Sequence, residues 1–314
     1  MQLTSNTRAF IEAEQYSDFI LMNLHDGLLP DTFYRDVADF MSGDTLHIKT
    51  VGSVTLQETE EDTPLTYSPI ETGEVTFRIT EYVGNAWYIT DDLREDGSQI
   101  DQLQVSHSTQ NTRAIQERFE SDFLAAAAGP FRAATNGVPT NGFDHFIVAP
   151  GASNLMTIGH FVAMRLAFDK ANVPVEGRIA IVDPVVEATL NSLVTITHDV
   201  TPFGADILER GLASGQRFLK NIFGWDIITS NRLYRGAAND GTTTLADGVY
   251  NLFMSILDDQ TKPIMGAWRR RPVVEGERNK DNRRDEFVTT ARYGFGVQRI
   301  DTLGAVVTSP VNYE

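Results

Sequence analysis

Apolar residues from Asn6 to Met41 come in helical clusters that are interrupted at Gly27 and Pro30. This pattern predicts two short helices on an N-terminal arm. Because no uninterrupted core element follows, we expect the arm to have little of its own chain to pack on. Neighbouring subunits would then be needed to order it.

The next segment predicts a long two-stranded hairpin, with strands at Leu46 to Leu56 and Val75 to Val83. Such a hairpin is marginal in water, so we expect it to lean on another surface. Against the single base Lys49, the stretch from Asp44 to Glu74 carries seven acids: Asp44, Glu58, Glu60, Glu61, Asp62, Glu71 and Glu74. The surface that receives this loop is therefore predicted to be basic.

A long helix is predicted from Ser98 to Ala128, a stretch with no proline or glycine that ends at Gly129 and Pro130. It would be about 46 Å long at 1.5 Å per residue. Its section from Gln104 to Thr112 is too polar for full burial, so one side should face solvent or a polar neighbour. Asp91 and Asp92 are candidates for paired catalytic carboxylates, but the favoured interpretation places them near a helix start, where negative charge is favourable.

The remainder alternates helix and strand patterns, which indicates an α+β class. Helices are predicted at Ile158 to Ala171 and from Pro184 to about Leu193, and an exposed polar loop at Gly236 to Gly248. Strands are predicted at Arg178 to Val182, Trp225 to Thr229, Val249 to Leu257 and Lys262 to Trp268, with two or three more in Val273 to Thr308 around a charged turn at Glu277 to Arg284.

Charge and composition exclude several classes of binding partner and of functional site. With 26 Lys plus Arg against 43 Asp plus Glu, the net charge is −17, which opposes general adhesion to nucleic acid or an anionic membrane. Cysteine is absent, which excludes disulfides, thiolate metal sites and cysteine nucleophiles. Met1 to Leu24 lacks the features of a signal peptide, and no run approaches eighteen apolar residues, so no membrane partner is expected.

Catalytic signatures are not found, and we predict no enzyme activity, no cofactor and no metal site. Phosphate-binding, paired-histidine, nucleophile-elbow and calcium-loop motifs all fail to match. Gly294-Phe-Gly296 has only part of a dinucleotide fingerprint. His145 and His160 come closest to a pair, but a packed histidine is the favoured interpretation of His160. A hydrolase built on scattered carboxylates would need a pocket of convergent groups.

Basic residues concentrate near the C-terminal end of the chain, where five arginines form a candidate contact surface: Arg269, Arg270, Arg271, Arg283 and Arg284. Interleaved acids such as Glu275 and Glu277 leave open that this is only a solvated strand face. The alternative is a docking surface for the acidic loop tip of another copy, formed by Glu58, Glu60, Glu61 and Asp62.

The order of these parts resembles the major capsid proteins of tailed bacteriophages, which have the Hong Kong 97-type fold. The resemblance rests on Val173-Pro-Val-Glu-Gly-Arg-Ile-Ala-Ile-Val-Asp-Pro184, on Gly224-Trp-Asp-Ile-Ile-Thr-Ser-Asn231, and on Arg283-Arg-Asp-Glu-Phe with Arg292-Tyr-Gly-Phe-Gly-Val-Gln-Arg-Ile-Asp301. It implies an N-terminal arm at 1–43, an extended β-hairpin loop at 44–90 and a spine helix region at 91–129. It further implies a peripheral domain at 130–184 and 263–314 around an axial domain at 185–262.

The resemblance also implies a function by assembly: a coat protein that forms hexamers and pentamers of an icosahedral head, within the virion, after assembly in the host bacterial cytoplasm. The partners would be other copies, a portal, cement proteins, and packaged double-stranded DNA held without sequence-specific binding. Since the chain starts at the arm, we expect a separate scaffolding protein. Lys49 is the loop's only lysine, so lysine crosslinking is not expected. An encapsulin-type compartment shell is the alternative with the same fold.

Overall fold

The computed structural model describes residues 29, 31–37, 45–51, 56–58, 69, 72–97, 100–132, 139–140, 142–196 and 218–312. They form two compact units. A larger unit lies within 28–82, 117–271 and 291–314, and a smaller unit lies within 83–116 and 272–290.

The described helices are α1 Asp91–Asp96, α2 Ile100–Arg132, α3 Ile158–Lys170 and α4 Pro184–Ile196, with one 3-10 turn at Asp31–Phe33. The strands are β1 Arg35–Asp36, β2 Thr45–Val51, β3 Thr72–Arg78, β4 Glu81–Thr90, β5 Pro139–Thr140, β6 Phe143–Asp144, β7 Phe146–Val148, β8 Arg178–Val182, β9 Phe218–Ile222, β10 Trp225–Thr229, β11 Arg235–Asn239, β12 Thr244–Ser255, β13 Ile264–Asn279, β14 Arg284–Val297 and β15 Leu303–Thr308. Mixed helix and sheet confirm the predicted α+β class.

A seven-stranded mixed sheet forms the core of the larger unit, in the order β7-β15-β12-β8-β10-β9 with β11 paired to β12. Every residue of β8 and β15 is buried, as expected for central strands covered on both faces. Helix α3 packs Phe161, Met164 and Phe168 against the sheet around the fully buried Trp225. The Trp225 indole donates to the Phe161 carbonyl at 3.3 Å, so its one polar atom is satisfied.

Buried polar groups in this core also find partners. Asn251 accepts from the Asp183 backbone N–H and donates to the Val306 carbonyl and the Thr308 hydroxyl. The Arg178 guanidinium is buried and pairs with Asp169 at 2.7 Å. A buried charge is tolerated when it is paired and hydrogen-bonded in this way.

The two-stranded hairpin β2–β3 confirms the start of the first predicted strand, with Thr45 opposite Arg78. The second predicted strand, Val75 to Val83, is wrong in extent, because the hairpin strand ends at Arg78 and the chain continues as β4, which pairs with β14 in another sheet. The apolar face of the hairpin, formed by Leu46, Ile48 and Val75, packs against a cluster of Val37, Phe77, Ile79, Met265 and Ala267. The hairpin therefore leans on its own chain at this end.

The end of the arm corrects the expectation that the arm lacks a packing surface. Phe33, Tyr34 and Val37 are buried. Strand β1 pairs in parallel with β13, and the Val37 N–H donates to the Gly266 carbonyl at 2.9 Å. Gly266 permits this approach because a Cβ there would lie 2.9 Å from the Tyr34 ring. The earlier part of the predicted arm lies outside the described residues.

The long helix does not stop at Gly129 and Pro130 but continues to Arg132. Burial of Phe131, which stacks on Phe146 at 5.7 Å, holds this final turn. The Arg132 side chain donates to the Ala125 carbonyl at 2.8 Å. Packing thus overrides the local break that Pro130 signals.

The predicted polar loop at Gly236 to Gly248 is also wrong in extent, because most of it forms the β11–β12 hairpin. Only 240–243 turn the chain. The Asp240 carboxylate holds this turn by accepting from the backbone of Val148, Thr242 and Thr243. These backbone bonds lower the pKa of Asp240 against the opposing effect of burial, which is the largest single influence.

The partial glycine motif at Gly294 serves chain packing. A Cβ on Gly294 would lie 2.5 Å from the Arg78 carbonyl oxygen, so only glycine allows the chain near Arg78 to cross β14 so closely.

Histidines 145 and 160 have separate structural roles. His145 is fully buried, stacks on Phe168 and lies 3.0 Å from the Leu303 carbonyl through Nδ1. At the start of α3, the Thr157 backbone N–H donates to His160 Nδ1 at 3.1 Å. Burial lowers the pKa of His160. The packed interpretation of His160 is confirmed.

Burial of the His160 ring makes folding stability depend on pH, and the cap acts in the same direction. Its acceptor exists only on neutral imidazole, so the contribution is present above the ordinary histidine pKa and is lost as the pH falls through the lowered folded-state pKa. We expect His160→Gln, whose side-chain oxygen can still accept, to remove this dependence between pH 7 and 5. His160→Ala should cost about 0.5–1.5 kcal/mol at pH 7, the net contribution of one hydrogen bond. Urea unfolding of the unassembled subunit measures both, and an unchanged slope in His160→Gln would contradict the assignment.

Candidate assembly surface

The smaller unit has a thin core. Trp87 on β4 stacks on Phe287 of β14, with ring centroids 4.2 Å apart, and meets His107 of α2 edge-on at 5.0 Å. The buried Asn111 amide donates to the Thr289 hydroxyl at 2.8 Å. One face of the strands is therefore covered by the first half of α2.

Several large apolar side chains of this unit remain uncovered within the described residues. Val105 is 67% exposed and Tyr88 is 57% exposed. The further members of the set are Leu93, Leu103, Val273, Val274 and Val288. We take these side chains as the candidate association surface of the smaller unit.

An ion-pair network fixes the turn between β13 and β14. Arg278 donates to both oxygens of Asp91, at 2.5 and 2.7 Å, and to Asp285 at 3.1 Å. Arg94 pairs with Asp285 at 2.5 Å. The hydrogen bond from Arg278 lowers the pKa of Asp91. These contacts link both strands beside the charged turn to the start of α1.

Asp91 and Asp92 lie in the first turn of α1, as predicted, and the Thr90 hydroxyl caps that helix by accepting from the Leu93 N–H. They are helix-start residues and not a pair of catalytic carboxylates.

The predicted basic cluster is divided between the two units. Arg269, Arg270 and Arg271 lie on the part of β13 in the larger unit, where Arg269 and Arg271 are exposed. Arg283 is exposed in the turn of the smaller unit, with a φ of 46°. Arg284 pairs with Glu286 of the same chain at 2.7 Å and lies over the Tyr88 ring at 4.4 Å.

The acidic loop tip is represented by Glu58 alone, which is exposed. Glu60, Glu61 and Asp62 lie outside the described residues. The pairing of this tip with the arginines of another copy therefore stays a prediction.

Sequence reasoning missed a buried network at the root of the arm. Glu120 of α2 is 5% exposed and accepts from Arg232 at 3.4 Å, from the Ser230 hydroxyl at 3.2 Å and from the Leu29 backbone N–H at 3.1 Å. Arg232 also pairs with Glu117 at 3.1 Å. In the sequence, the only feature that points to this network is the spacing of Glu117 and Glu120, which lie one helical turn apart on α2.

A shallow groove lies at the end of α2, and one of its carboxylates is already engaged in hydrogen bonds. It has Glu81 and Asp122 among its lining residues. Asp122 already accepts from Arg118 at 3.0 Å and from the Tyr293 hydroxyl at 2.7 Å. Burial, followed by this hydrogen bond, raises the pKa of Tyr293. Elsewhere in the described chain, no cluster of three or more His, Asp or Glu has the geometry to hold a metal ion.

None of the described helices has both the length and the apolar character needed to cross a membrane.

Comparison with known proteins gives a match to the family described as phage capsid protein, over residues 72–308. A search of curated protein sequences found no match. Among solved structures, the capsid of cyanophage P-SCSP1u has a TM-score of 0.71 at 17% identity, with 96% of this chain and 94% of that chain covered. The capsid of cyanophage Pam1 has a TM-score of 0.68 at 13% identity, with 96% and 97% covered. A structure from Mycobacterium phage Che8 has a TM-score of 0.63 at 18% identity, with 96% of this chain and 98% of that chain covered.

Removing the central carboxylate should test the Glu120 network. We expect Glu120→Ala to destabilise the subunit by about 1–3 kcal/mol, because the Ser230 hydroxyl and the Leu29 backbone N–H lose their acceptor while Arg232 keeps its pair with Glu117. Glu120→Gln should cost less, since it retains an acceptor. Chemical unfolding measures these changes.

The double variant Glu120→Ala, Arg232→Met should be more stable than the sum of the single effects predicts. Arg118→Ala is the control, because that side chain is 61% exposed and its pair should contribute only about 0–1 kcal/mol. Additive effects of the Glu120 and Arg232 substitutions would show that the two side chains are not coupled.

Proposed function

The chain belongs to the phage capsid protein family. We propose that it is a major capsid protein of a tailed phage, and that its copies form hexamers and pentamers of a closed icosahedral head around double-stranded DNA. The observation that carries this proposal is the family match over 72–308. The exposed apolar set of the smaller unit supports it, because a subunit that polymerises needs surfaces that other copies cover. The same match favours a phage head over an encapsulin-type compartment.

Shell formation can rest on individually modest contacts. Each subunit repeats the same contacts, so their free energies add over a closed lattice. A net charge of −17 suits a container, since a strongly cationic lining would bind packaged DNA through counterion release. This supports packaging without sequence-specific binding.

The fold suggests which part of a capsid subunit each segment forms. We assign 1–43 to the arm, 44–90 to the extended loop, 91–129 to the spine helix region, 130–184 and 263–314 to the peripheral domain, and 185–262 to the axial domain. The β2–β3 base of the loop and the continuous helix α2 support this assignment. A scaffolding protein, a portal and cement proteins complete the proposed partners, with assembly in the host cytoplasm.

The direct test is to purify particles that contain this chain and to measure their mass with and without nuclease-protected nucleic acid. A phage head predicts closed particles that contain double-stranded DNA. Particles of uniform size that contain protein cargo and no genome would instead support a compartment shell. Absence of any particle would overturn the proposal.

The acidic loop tip and the arginine cluster give a prediction about contacts between copies. Reversing Glu60, Glu61 and Asp62 to lysine should block assembly, or yield fragile shells, while the subunit stays folded. A single exposed ion pair contributes only about 0–1 kcal/mol, so the triple change is needed. Electron microscopy and circular dichroism measure assembly and folding.

Reversal of Asp144, Glu176 and Asp247, which are exposed acids elsewhere, is the matched control for the change in charge. Changing Arg271 and Arg283 to glutamate should partly rescue the loop-tip variant. Arg284 is left intact because it already pairs with Glu286. High salt should also weaken assembly of the wild-type chain, because it screens the charges of this contact. Normal assembly of the loop-tip variant at low salt would show that the tip only solubilises the subunit.

A further inference from the structure

Strand β4 forms an edge of the sheet whose order is β1-β13-β14-β4. It pairs with β14 on one side, and within the described ranges no strand pairs with its other side. Gly84, Asn85 and Ala86, at its centre, are all exposed. The strand therefore offers a row of backbone donors and acceptors to an added strand.

Nothing in this strand blocks such an addition. Proteins usually protect long edges with charges, prolines or bulges. From Tyr82 to Thr90 the strand has no charged residue and no proline, and Glu81 at its start is the only charge. The edge is thus one that can accept a partner strand over its length.

The sequence of this edge is self-complementary. Reading outward from Asn85, the flanking residues are small (Gly84 and Ala86), then large and apolar (Val83 and Trp87), then tyrosine on both sides (Tyr82 and Tyr88). In an antiparallel pair of two identical strands centred on Asn85, small residues face small residues. Each Tyr82 then faces the partner's Tyr88, which is a favourable aromatic cross-strand pair.

Both tyrosines are available on one face. Successive strand residues point to opposite faces, and Trp87 points to the covered face, where it stacks on Phe287. Tyr82 and Tyr88 therefore share the opposite face, where they are 68% and 57% exposed. On this face the Arg284 guanidinium lies over the Tyr88 ring at 4.4 Å.

Antiparallel pairing also avoids electrostatic repulsion. In this register Glu81 lies opposite Ile89 of the other copy, whereas an in-register parallel pair would place two Glu81 carboxylates side by side. A two-fold axis through the pair makes the contact identical for both copies, which closes it after two subunits.

We propose that two copies of this chain join through their β4 edges, antiparallel and centred on Asn85, so that the sheets of two subunits become continuous. The inference rests on the proposed shell function in one respect: the pairing requires that copies of this chain meet within a particle. It adds a specific two-fold contact, formed by backbone hydrogen bonds and two tyrosine pairs, to the charged contact of the loop tip.

The absence of native cysteine allows a direct test. In Asn85→Cys, the only two thiols that can meet are related by the two-fold axis, and paired strand residues have Cα separations within disulfide range, about 4.4–6.8 Å. Mild oxidation of assembled particles should convert most of the chain to a reducible dimer on non-reducing gels. Gly84 is not altered, because a Cβ there would lie 2.9 Å from the Thr289 carbonyl oxygen.

Register controls make the result specific. In Tyr88→Cys alone, the two thiols lie six residues apart along the strands, roughly 20 Å at 3.4 Å per residue, and should not link. The double variant Tyr82→Cys, Tyr88→Cys should restore the dimer. Equal crosslinking of Asn85→Cys and Tyr88→Cys would indicate random collision and overturn the proposal.

Particle formation is scored in the same samples. Intact Asn85→Cys particles that give no dimer would refute the edge pairing and leave the shell function untouched. Failure of the unmodified chain to form particles would instead count against the shell function. If the unmodified chain assembles and Asn85→Cys does not, two further variants test the pairing. Asn85→Ser should still form particles. Particles of the variant Tyr82→Cys, Tyr88→Cys that give no dimer on oxidation would refute the pairing.

Discussion

The packing of Phe119 holds the larger unit together around the second half of α2. Its ring stacks on Trp268 at 4.1 Å and meets Tyr293 and Phe295 at 4.8 and 4.7 Å. Tyr34, from the end of the arm, closes the cluster at 5.7 Å. Four segments far apart in the sequence therefore meet in one aromatic cluster, and burying each such ring contributes about 1.5–3 kcal/mol.

The smaller unit is stabilised differently, and this difference relates the structure to assembly. Trp87 and Phe287 provide little buried apolar area, and the Arg278 network orients the turn more than it adds stability, because exposed ion pairs contribute little. Within the described residues its exposed apolar side chains lack cover, and the proposed pairing of β4 would extend its sheet into another copy. We expect a subunit of this kind to gain further apolar burial when it joins a shell.

Local patterns in the sequence predicted most of the elements, because periodicity and helix-start residues act over a few positions. Helix α3, strand β8 and the helix start at Asp91 agree with prediction for that reason. The continuation of α2 through Pro130 depends on Phe131 packing on Phe146, a contact between elements that no local signal reports. The Glu120–Arg232 pair is likewise separated by more than a hundred residues. The burial of Val37 next to Met265 was missed for the same reason.

Candidate contacts between copies were only partly predictable from sequence. The clustering of arginines was visible, but the commitment of Arg284 to Glu286 required the fold. The edge at β4 could not be recognised either, since a strand's position in a sheet depends on its pairing partners. The repeat of residue types around Asn85 acquires meaning only once that edge position is known.

Amide hydrogen exchange, measured on unassembled subunits and on shells, tests most directly the claim that neighbours complete the smaller unit. The account predicts that amides of Val83–Thr90 and Pro272–Thr290 exchange faster than those of β12 and β15 in the free subunit. On assembly their exchange should slow by about a hundredfold or more, while β12 and β15 change little. Equal protection of both units in the free subunit, with no change on assembly, would contradict it.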